Sequence, residues 1–332
     1  MRSKVERIAV LTSGGDAPGM NAAIRGVVRT AIGKGIRIYG IRKGYAGIYE
    51  EEFREMYAED VSHTINLGGT ILYTARCQRM KEDDGPAEAA EILKQHKIDG
   101  LVVIGGDGSF RGAQCLSKCG INVIGIPGTI DLDIGCTDYT IGFDTAVNTA
   151  VDAIDKIKDS STSHERCSIV EVMGRSAGYI ALVSGIATGA EEILMPETYD
   201  NNEERLINNL IVNRKRGHTH HIIINAEGIG DSIGLAERIE AATGIETRAS
   251  VLGYLQRGGS PTSRDRMYAS VMGTRAVELL ASGARNRLLC ISGGGLVDRD
   301  IDEAMKMEKH IPDYLTRTAD VLTYHYTKKN SI

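Results

Sequence analysis

The sequence predicts an α/β protein of two Rossmann-like lobes, with mainly parallel sheets and helices on both faces. Three observations carry this. Short apolar runs at 8–11, 101–104, 123–126, 169–172, 222–226 and 288–291 alternate with helical segments along nearly the whole chain, the pattern of βαβ units. The first three runs each break into a glycine-rich polar turn, as buried parallel strands do at their active ends. The chain has 332 residues, more than one ordinary core uses, so two lobes crossed more than once by the chain are the better expectation.

Taken in order, Ile8-Ala9-Val10-Leu11 is the first strand, and Thr12-Ser13-Gly14-Gly15-Asp16 leads from it into a helix with Ile24, Val27 and Val28 on one face. Glycines at a strand end let the backbone turn sharply and let an anion approach the amides, so Gly14 and Gly15 are read as phosphate contacts. The G-x-G-x-x-G dinucleotide fingerprint is absent, which counts against a dehydrogenase. A strand over 36–41 follows, then an acidic segment and the turn Gly68-Gly69-Thr70. Arg76 and Arg79 lie just past it. They are solvated groups unless the fold sets them beside the cradle, where a guanidinium bridges phosphates bidentately.

A helix over 87–96 feeds the strand 101–104, and Gly105-Gly106-Asp107-Gly108-Ser109 repeats the strand, glycine, helix grammar. Asp107 is placed to hold Mg2+ beside a phosphate cradle, and Ser109 to cap the next helix; the alternative is an ordinary turn with a capping aspartate. The strand 123–126 ends in Pro127-Gly128-Thr129-Ile130-Asp131-Leu132-Asp133. Two carboxylates at i and i+2 of an extended segment point the same way, so one can accept a proton from an attacking hydroxyl while the other supports it. A solvated acidic turn is the alternative.

The helix from Phe143 to about Lys158, apolar at Val147, Val151, Ile154 and Ile157, is expected to cross into the second lobe. There the reading is strand 169–172 with the turn Met173-Gly174-Arg175, helix 178–188, strand 193–195, helix 202–214, strand 222–226 followed by Glu227, a helix to Ala242, and strand 249–252. Gln256-Arg257-Gly258-Gly259-Ser260-Pro261 precedes another helix, and the strand 288–291 ends in Ser292-Gly293-Gly294-Gly295. His218, His220 and His221 cluster at a helix-to-strand junction. His220 and His221 would face opposite ways, and no other ligand type lies near, so a metal site there is not favoured.

Composition narrows the function classes. The formal net charge is −5 with 25% charged residues, which leaves no nucleic-acid footprint; the basic run Arg214-Lys215-Arg216 is a short surface turn. Six scattered cysteines without C-x-x-C spacing read as reduced thiols, and Cys115 and Cys119, one helical turn apart, as packing. The N-terminal stretch lacks the apolar region of a signal peptide, and no run approaches a membrane span. A cytoplasmic protein with no membrane partner is expected.

Glycine cradles, an acidic pair and arginines past glycine turns together suit phosphoryl transfer, which demands positioning, Mg2+ and charge neutralisation. Leu11 to Asn21, Gly105 to Ser109, Pro127 to Asp133, Met173-Gly174-Arg175 and Gln256 to Pro261 resemble, in order and spacing, the signatures of the bacterial ATP-dependent 6-phosphofructokinase family, over nearly the whole chain. The resemblance implies transfer of phosphate from ATP to the 1-hydroxyl of fructose 6-phosphate, the committed step of glycolysis. It implies a nucleotide-binding lobe of 1–141 with 256–305 and a sugar-phosphate lobe of 142–255 with 306–332. Nucleotide phosphates would lie against Gly15, Arg76, Cys77, Gly106, Gly108 and Ser109, with Mg2+ on Asp107. Asp131 would be the general base, Thr129 and Asp133 its supporting neighbours, and Arg175 a clamp on transition-state charge. Fructose 6-phosphate would be held by Met173, Gly174, Glu227 and Arg257, with Tyr254 at a sugar-phosphate position and Arg166 and Arg248 reaching in from an adjacent subunit of a homotetramer.

Two glycines bear on the donor. Pyrophosphate-using relatives typically carry Asp where Gly108 stands and Lys where Gly128 stands, filling the space of the α-phosphate, so ATP is favoured. Leu132 replaces an Asn familiar in the family, removing an amide without requiring a new backbone path, and Tyr254 replaces a common His. An effector site for ADP or phosphoenolpyruvate maps onto Arg25, Arg29, Lys158 and Glu191. Ala58, Lys158, His218 and Thr219 change the family's charges there, so weak or altered allostery is expected. A pyrophosphate-dependent or other sugar-phosphate kinase is the nearer alternative, and a catalytically silent regulatory subunit the remote one.

Overall fold

The computed structural model describes residues 5–323. The chain divides into two units, one holding residues up to Thr145 together with Arg257–Lys309, the other Ala146–Gln256 with the residues after Lys309. The helix Phe143–Ser163 begins in the first and continues in the second.

The first unit is built on β1 (Arg7–Ser13), β2 (Arg37–Ile41), β3 (Phe53–Glu55), β4 (Gly100–Gly105), β5 (Val123–Thr129), β6 (Ile141–Gly142), and two strands that return late in the chain. The second holds β7 (Cys167–Val172), β8 (Glu192–Leu194), β9 (His221–Ala226) and β10 (Thr247–Val251). The late strands are β11 (Arg287–Ser292) and β12 (Gly295–Asp300). In the larger sheet the order is β12-β11-β5-β4-β1-β2-β3, with β6 beside β5; in the smaller it is β10-β7-β9-β8. All pairs in the smaller sheet are parallel.

Every residue of β4 is buried, and β1 is buried beyond its first residue, which is why these segments read as unbroken apolar runs. β1, β4 and β5 are parallel neighbours, with Ser13 opposite Gly105 and Gly105 opposite Pro127. Their three polar turns therefore open side by side at one sheet edge, where open α/β sheets bind ligands.

The antiparallel edges fall outside the pattern the sequence predicts. β3 pairs with β2, and β12 with β11. The glycines after the late strand do not end the sheet there: Ser292 pairs with Gly295, and Gly293 and Gly294 between them both take positive φ, the conformation a tight two-residue hairpin needs. β10 also starts two residues before its apolar run, at Thr247, whose Cα partner is Cys167.

Strand and helix faces meet in one apolar cluster that includes Leu11, Leu93, Leu101, Val103 and Leu116, with Cys115 and Cys119 packed against it. The helices Met20–Gly33 and Ser263–Ser282 approach closely at two glycines: a Cβ on Gly26 would lie 2.8 Å from Ser270 O, and one on Gly273 2.4 Å from Ala23 O. Cys136 and Cys290 bring their Sγ atoms to 3.4 Å among Phe110, Ile134 and Leu288, both as free thiols.

His221, in the first position of β9, is fully buried and neither ring nitrogen has a hydrogen-bond partner among the described residues. His218 is exposed. Burial, with lesser repulsion from His220, His218 and Arg214, pushes the His221 pKa down to about 4. The unfolded chain binds this proton near pH 6.5 and the folded chain does not, so stability is complete above pH 6.5 and is lost as pH falls toward 4. The expected loss is roughly 2–3 kcal/mol. Urea midpoints measured between pH 7 and 4 should show it, and His221→Leu should flatten that part of the profile; an unchanged slope in the variant would assign the loss to other groups.

Candidate active site

The turn after β1 is fastened to the segment 66–74. Thr12 Oγ1 hydrogen-bonds with Thr70 Oγ1 (2.8 Å) and donates to Tyr73 O (2.9 Å), and Thr74 Oγ1 donates to Gly14 O (2.7 Å). Buried Asn21 donates to Leu67 O and Gly68 O at 3.1 and 3.2 Å, and its Oδ1 accepts from Ile71 N at 2.8 Å. Asn21 thus satisfies three backbone groups of a loop that has no ladder of its own. Arg76 follows this loop, is exposed, and forms no ion pair among the described residues. Arg79 is otherwise committed: it pairs with Asp84 at 2.7 Å, Glu88 at 2.6 Å and Glu82. The role considered for it at the cradle does not fit that network. Cys77 between them is half-buried, against the apolar cluster.

After β4 the helix Asp107–Lys118 begins at once, with Gly106 as its N-cap and Asp107 in its first turn. Ser109 does not cap it. It lies inside the helix, and its buried Oγ donates to Ser13 O at 2.9 Å, tying the second turn to the first. Tyr45 OH donates to Ser109 O at 2.6 Å; burial raises the pKa of this phenol well above 10, so it remains a donor. The Asp107 carboxylate accepts from Arg111 Nε at 2.9 Å. An exposed carboxylate in the first turn of a helix beside glycine amides is a donor set that suits a hard cation shared with phosphate oxygens.

The two glycines expected to bear on the donor differ. A Cβ on Gly108 would meet nothing within 4 Å, whereas one on Gly128 would press on Ile104 Cγ2 at 3.0 Å and Met20 Cε at 3.4 Å. Gly108 thus borders open space, whereas Gly128 faces packed side chains. The Arg257 guanidinium lies beside this turn: a Cβ on Gly15 would lie 3.0 Å from its Cζ.

β5 ends at Thr129, whose Oγ1 accepts from Asp131 N at 3.2 Å. Gly106 lies beside Thr129, a Cβ there falling 3.5 Å from Thr129 Cβ. Asp131 is 4% exposed, so the solvated-turn reading fails for it. The extended segment does not continue, because Leu132 takes φ 55°. The i, i+2 alternation therefore does not relate Asp131 to Asp133, and the backbone path here is one that Asn adopts more readily than Leu.

In the second unit, the turn after β7 is held by one carboxylate oxygen. Glu227 Oε1 accepts from Gly174 N at 3.1 Å and Arg175 N at 2.5 Å, and Gln256 Oε1 accepts from Met173 N at 3.2 Å. Gly174 has φ 142° and Arg175 φ 56°; a Cβ on Gly174 would stand 2.3 Å from Ala177 O. Arg166 and Arg248, 82 positions apart in sequence, are joined by Glu246, at 2.7 and 2.6 Å. Tyr254 is 80% exposed on the turn Gly253–Arg257. Of the residues expected at an effector site, Arg25 and Arg29 lie on the helix Met20–Gly33 of the first unit. Lys158 and Glu191 lie in the second, where Lys158 Nζ donates to Thr188 O (2.9 Å) and Glu191 Oε2 accepts from Ile222 N (2.6 Å).

A family model described as phosphofructokinase matches residues 7–280. The chain belongs to the phosphofructokinase family. Among relatives, the ATP-dependent 6-phosphofructokinase of Clostridium botulinum is 54% identical over 316 residues, covering 95% of this chain and 99% of that one; that of Clostridium novyi is 52% identical over 320 residues, covering 96% and 100%. Among solved structures, phosphofructokinase of Pichia pastoris in the T-state superposes with TM-score 0.85 at 34% identity, over 92% of this chain but 36% of that one. The Saccharomyces cerevisiae enzyme gives 0.82 at 32% identity, over 96% of this chain, which spans about half (48%) of that one. The two-lobe, mainly parallel α/β fold is thus the fold of phosphofructokinases, and no helix among the described residues is long and apolar enough to cross a membrane.

Tyr254 carries a specific expectation within this family. A phenol can donate to a phosphate oxygen but brings no titrating positive charge. Tyr254→His should lower KM for a sugar phosphate by about two- to fivefold below pH 6.5, with less effect at pH 8. A KM unchanged at both pH values would remove residue 254 from the sugar-phosphate site.

Proposed function

We propose that this phosphofructokinase transfers the γ-phosphoryl group of ATP to the 1-hydroxyl of fructose 6-phosphate. One observation carries the reading: the adjacent parallel strands β1, β4 and β5 bring Gly14 and Gly15, Gly106 to Ser109, and Thr129 to Asp131 to one sheet edge. Two glycine cradles then stand beside a buried carboxylate. The names of the Clostridium relatives support the donor and the reaction.

The sugar oxygen attacks the γ-phosphorus, the bond from that phosphorus to the β–γ bridging oxygen breaks, ADP departs, and Asp131 accepts the hydroxyl proton. Thr129 fixes the backbone amide of Asp131. Gly15, Gly106, Gly108 and Ser109 give backbone approach to the polyphosphate, with Arg76 as a cation, while Arg257 serves the sugar phosphate. Asp107 would hold Mg2+, which supplies charge neutralisation across the phosphates when bound. Arg175, held in a left-handed conformation by Glu227, serves as the clamp on transition-state charge. Met173, Gly174 and Glu227 form the sugar side. With Glu227 Oε1 occupied by two backbone amides, that residue acts through the shape of the turn at least as much as by contact.

The assembly reading is a cytoplasmic homotetramer in which Arg166 and Arg248 serve a neighbouring subunit's sugar phosphate. Their shared anchor on Glu246 supports joint action. ADP or phosphoenolpyruvate would act at Arg25, Arg29, Lys158 and Glu191, with control weaker than in relatives carrying more fixed cations. The deciding experiment is phosphorylation of fructose 6-phosphate with Mg2+, comparing ATP with pyrophosphate. Turnover with ATP alone is expected, and turnover with pyrophosphate alone would reverse the donor assignment.

A further inference from the structure

Arg111 lies one turn into the helix Asp107–Lys118, and helix side chains lean toward the N-terminus. Its guanidinium is thereby drawn back to the mouth of the second glycine turn, where Nε sits 2.9 Å from Asp107 Oδ2. Asp107 is its sole ion-pair partner among the described residues, and the two side chains are 70% and 40% exposed. On the turn N-terminal to it, a Cβ on Gly108 would meet nothing within 4 Å. The pair therefore joins a long, exposed cation, with room to move, to the carboxylate assigned above to Mg2+.

We propose that Arg111 is a nucleotide-positioning residue: it neutralises Asp107 in the resting enzyme and moves onto the ATP polyphosphate when a divalent cation takes that carboxylate. The inference rests on the reading of Asp107 as the metal ligand. A divalent cation on Asp107 repels the adjacent guanidinium, and arginine's planar fork suits phosphate oxygens bidentately. Because an exposed ion pair contributes little, giving it up costs the incoming cation no more than a few-fold in affinity. The partner exchange makes the arginine's contribution conditional on metal.

Calorimetry on the whole protein with β,γ-methylene ATP, in excess Mg2+ and in EDTA, tests this. Arg111→Gln should weaken binding about tenfold with Mg2+ and by less than twofold without it. Equal weakening under both conditions would make Arg111 a constant phosphate contact, and no weakening in either would make it a surface pair; each overturns the exchange. Asp107→Asn separates the two layers. It should abolish most of the Mg2+-dependent gain and free the arginine, so that adding Arg111→Gln now weakens binding in EDTA. If Asp107→Asn retains the full Mg2+ gain, the metal assignment itself fails; if it loses the gain while Arg111→Gln changes nothing, only the role of Arg111 fails.

Discussion

Asp131→Asn is expected to lower kcat by about 10²–10⁴-fold while KM for fructose 6-phosphate stays within a few-fold of the parent, because the substitution removes a proton acceptor and keeps the side chain's size and shape. The residue is buried, its amide is held by Thr129 Oγ1, and it follows closely on the end of β5, so an asparagine of the same shape should leave the loop in place. Steady-state kinetics at saturating ATP and Mg2+, with circular dichroism to confirm an unchanged fold, provide the check. A fall in kcat of less than tenfold would exclude Asp131 as the base. A rise in KM with kcat unchanged would make it a sugar ligand instead.

The same loop shows where sequence reasoning stops. The strands and their glycine turns are legible because a strand buried on both faces must be continuously apolar, and because glycine at its end has few other uses. The kink at Leu132 is not, since leucine seldom adopts a left-handed conformation; nothing local announces it, and strand alternation no longer governs how Asp131 and Asp133 are placed. Ser109 reads as a cap from its place after glycines, whereas the sheet register puts Ser13 O within its reach. Glu227 and Glu246 show the same limit in the second unit. Glu227 holds the amide of Arg175 from 52 positions away, and Glu246 holds the side chain of Arg166 from 80 positions away; only tertiary folding brings such groups together. Short edge strands such as β3 escape notice because half-buried, mixed sequence carries no period long enough to read.

Asp265 is the strongest case of a supporting frame hidden from sequence, and Asp265→Ala should destabilise the protein by about 3–5 kcal/mol. The side chain is fully buried. It accepts from Tyr139 OH, from Gly142 N at 2.8 Å, and from Thr145 N and Oγ1 at 2.9 and 2.5 Å, while Thr145 Oγ1 in turn accepts from Thr262 N at 3.0 Å. Burial pushes the carboxyl pKa up, and these donors pull it back. Alanine would leave the donors buried and unsatisfied, whereas Asp265→Asn would retain the volume but turn one acceptor into a donor, so it too should cost about 1–3 kcal/mol. Chemical denaturation reads both values; a loss below about 1 kcal/mol for the alanine variant would show that water or relaxed backbone replaces the network. The amides of Gly142 and Thr145 stand at the start of Phe143–Ser163, the helix that leads out of the first unit. A lowered stability with kcat/KM preserved at low temperature is therefore the expected signature, because Asp265 fixes where that helix begins and takes no part in the transfer.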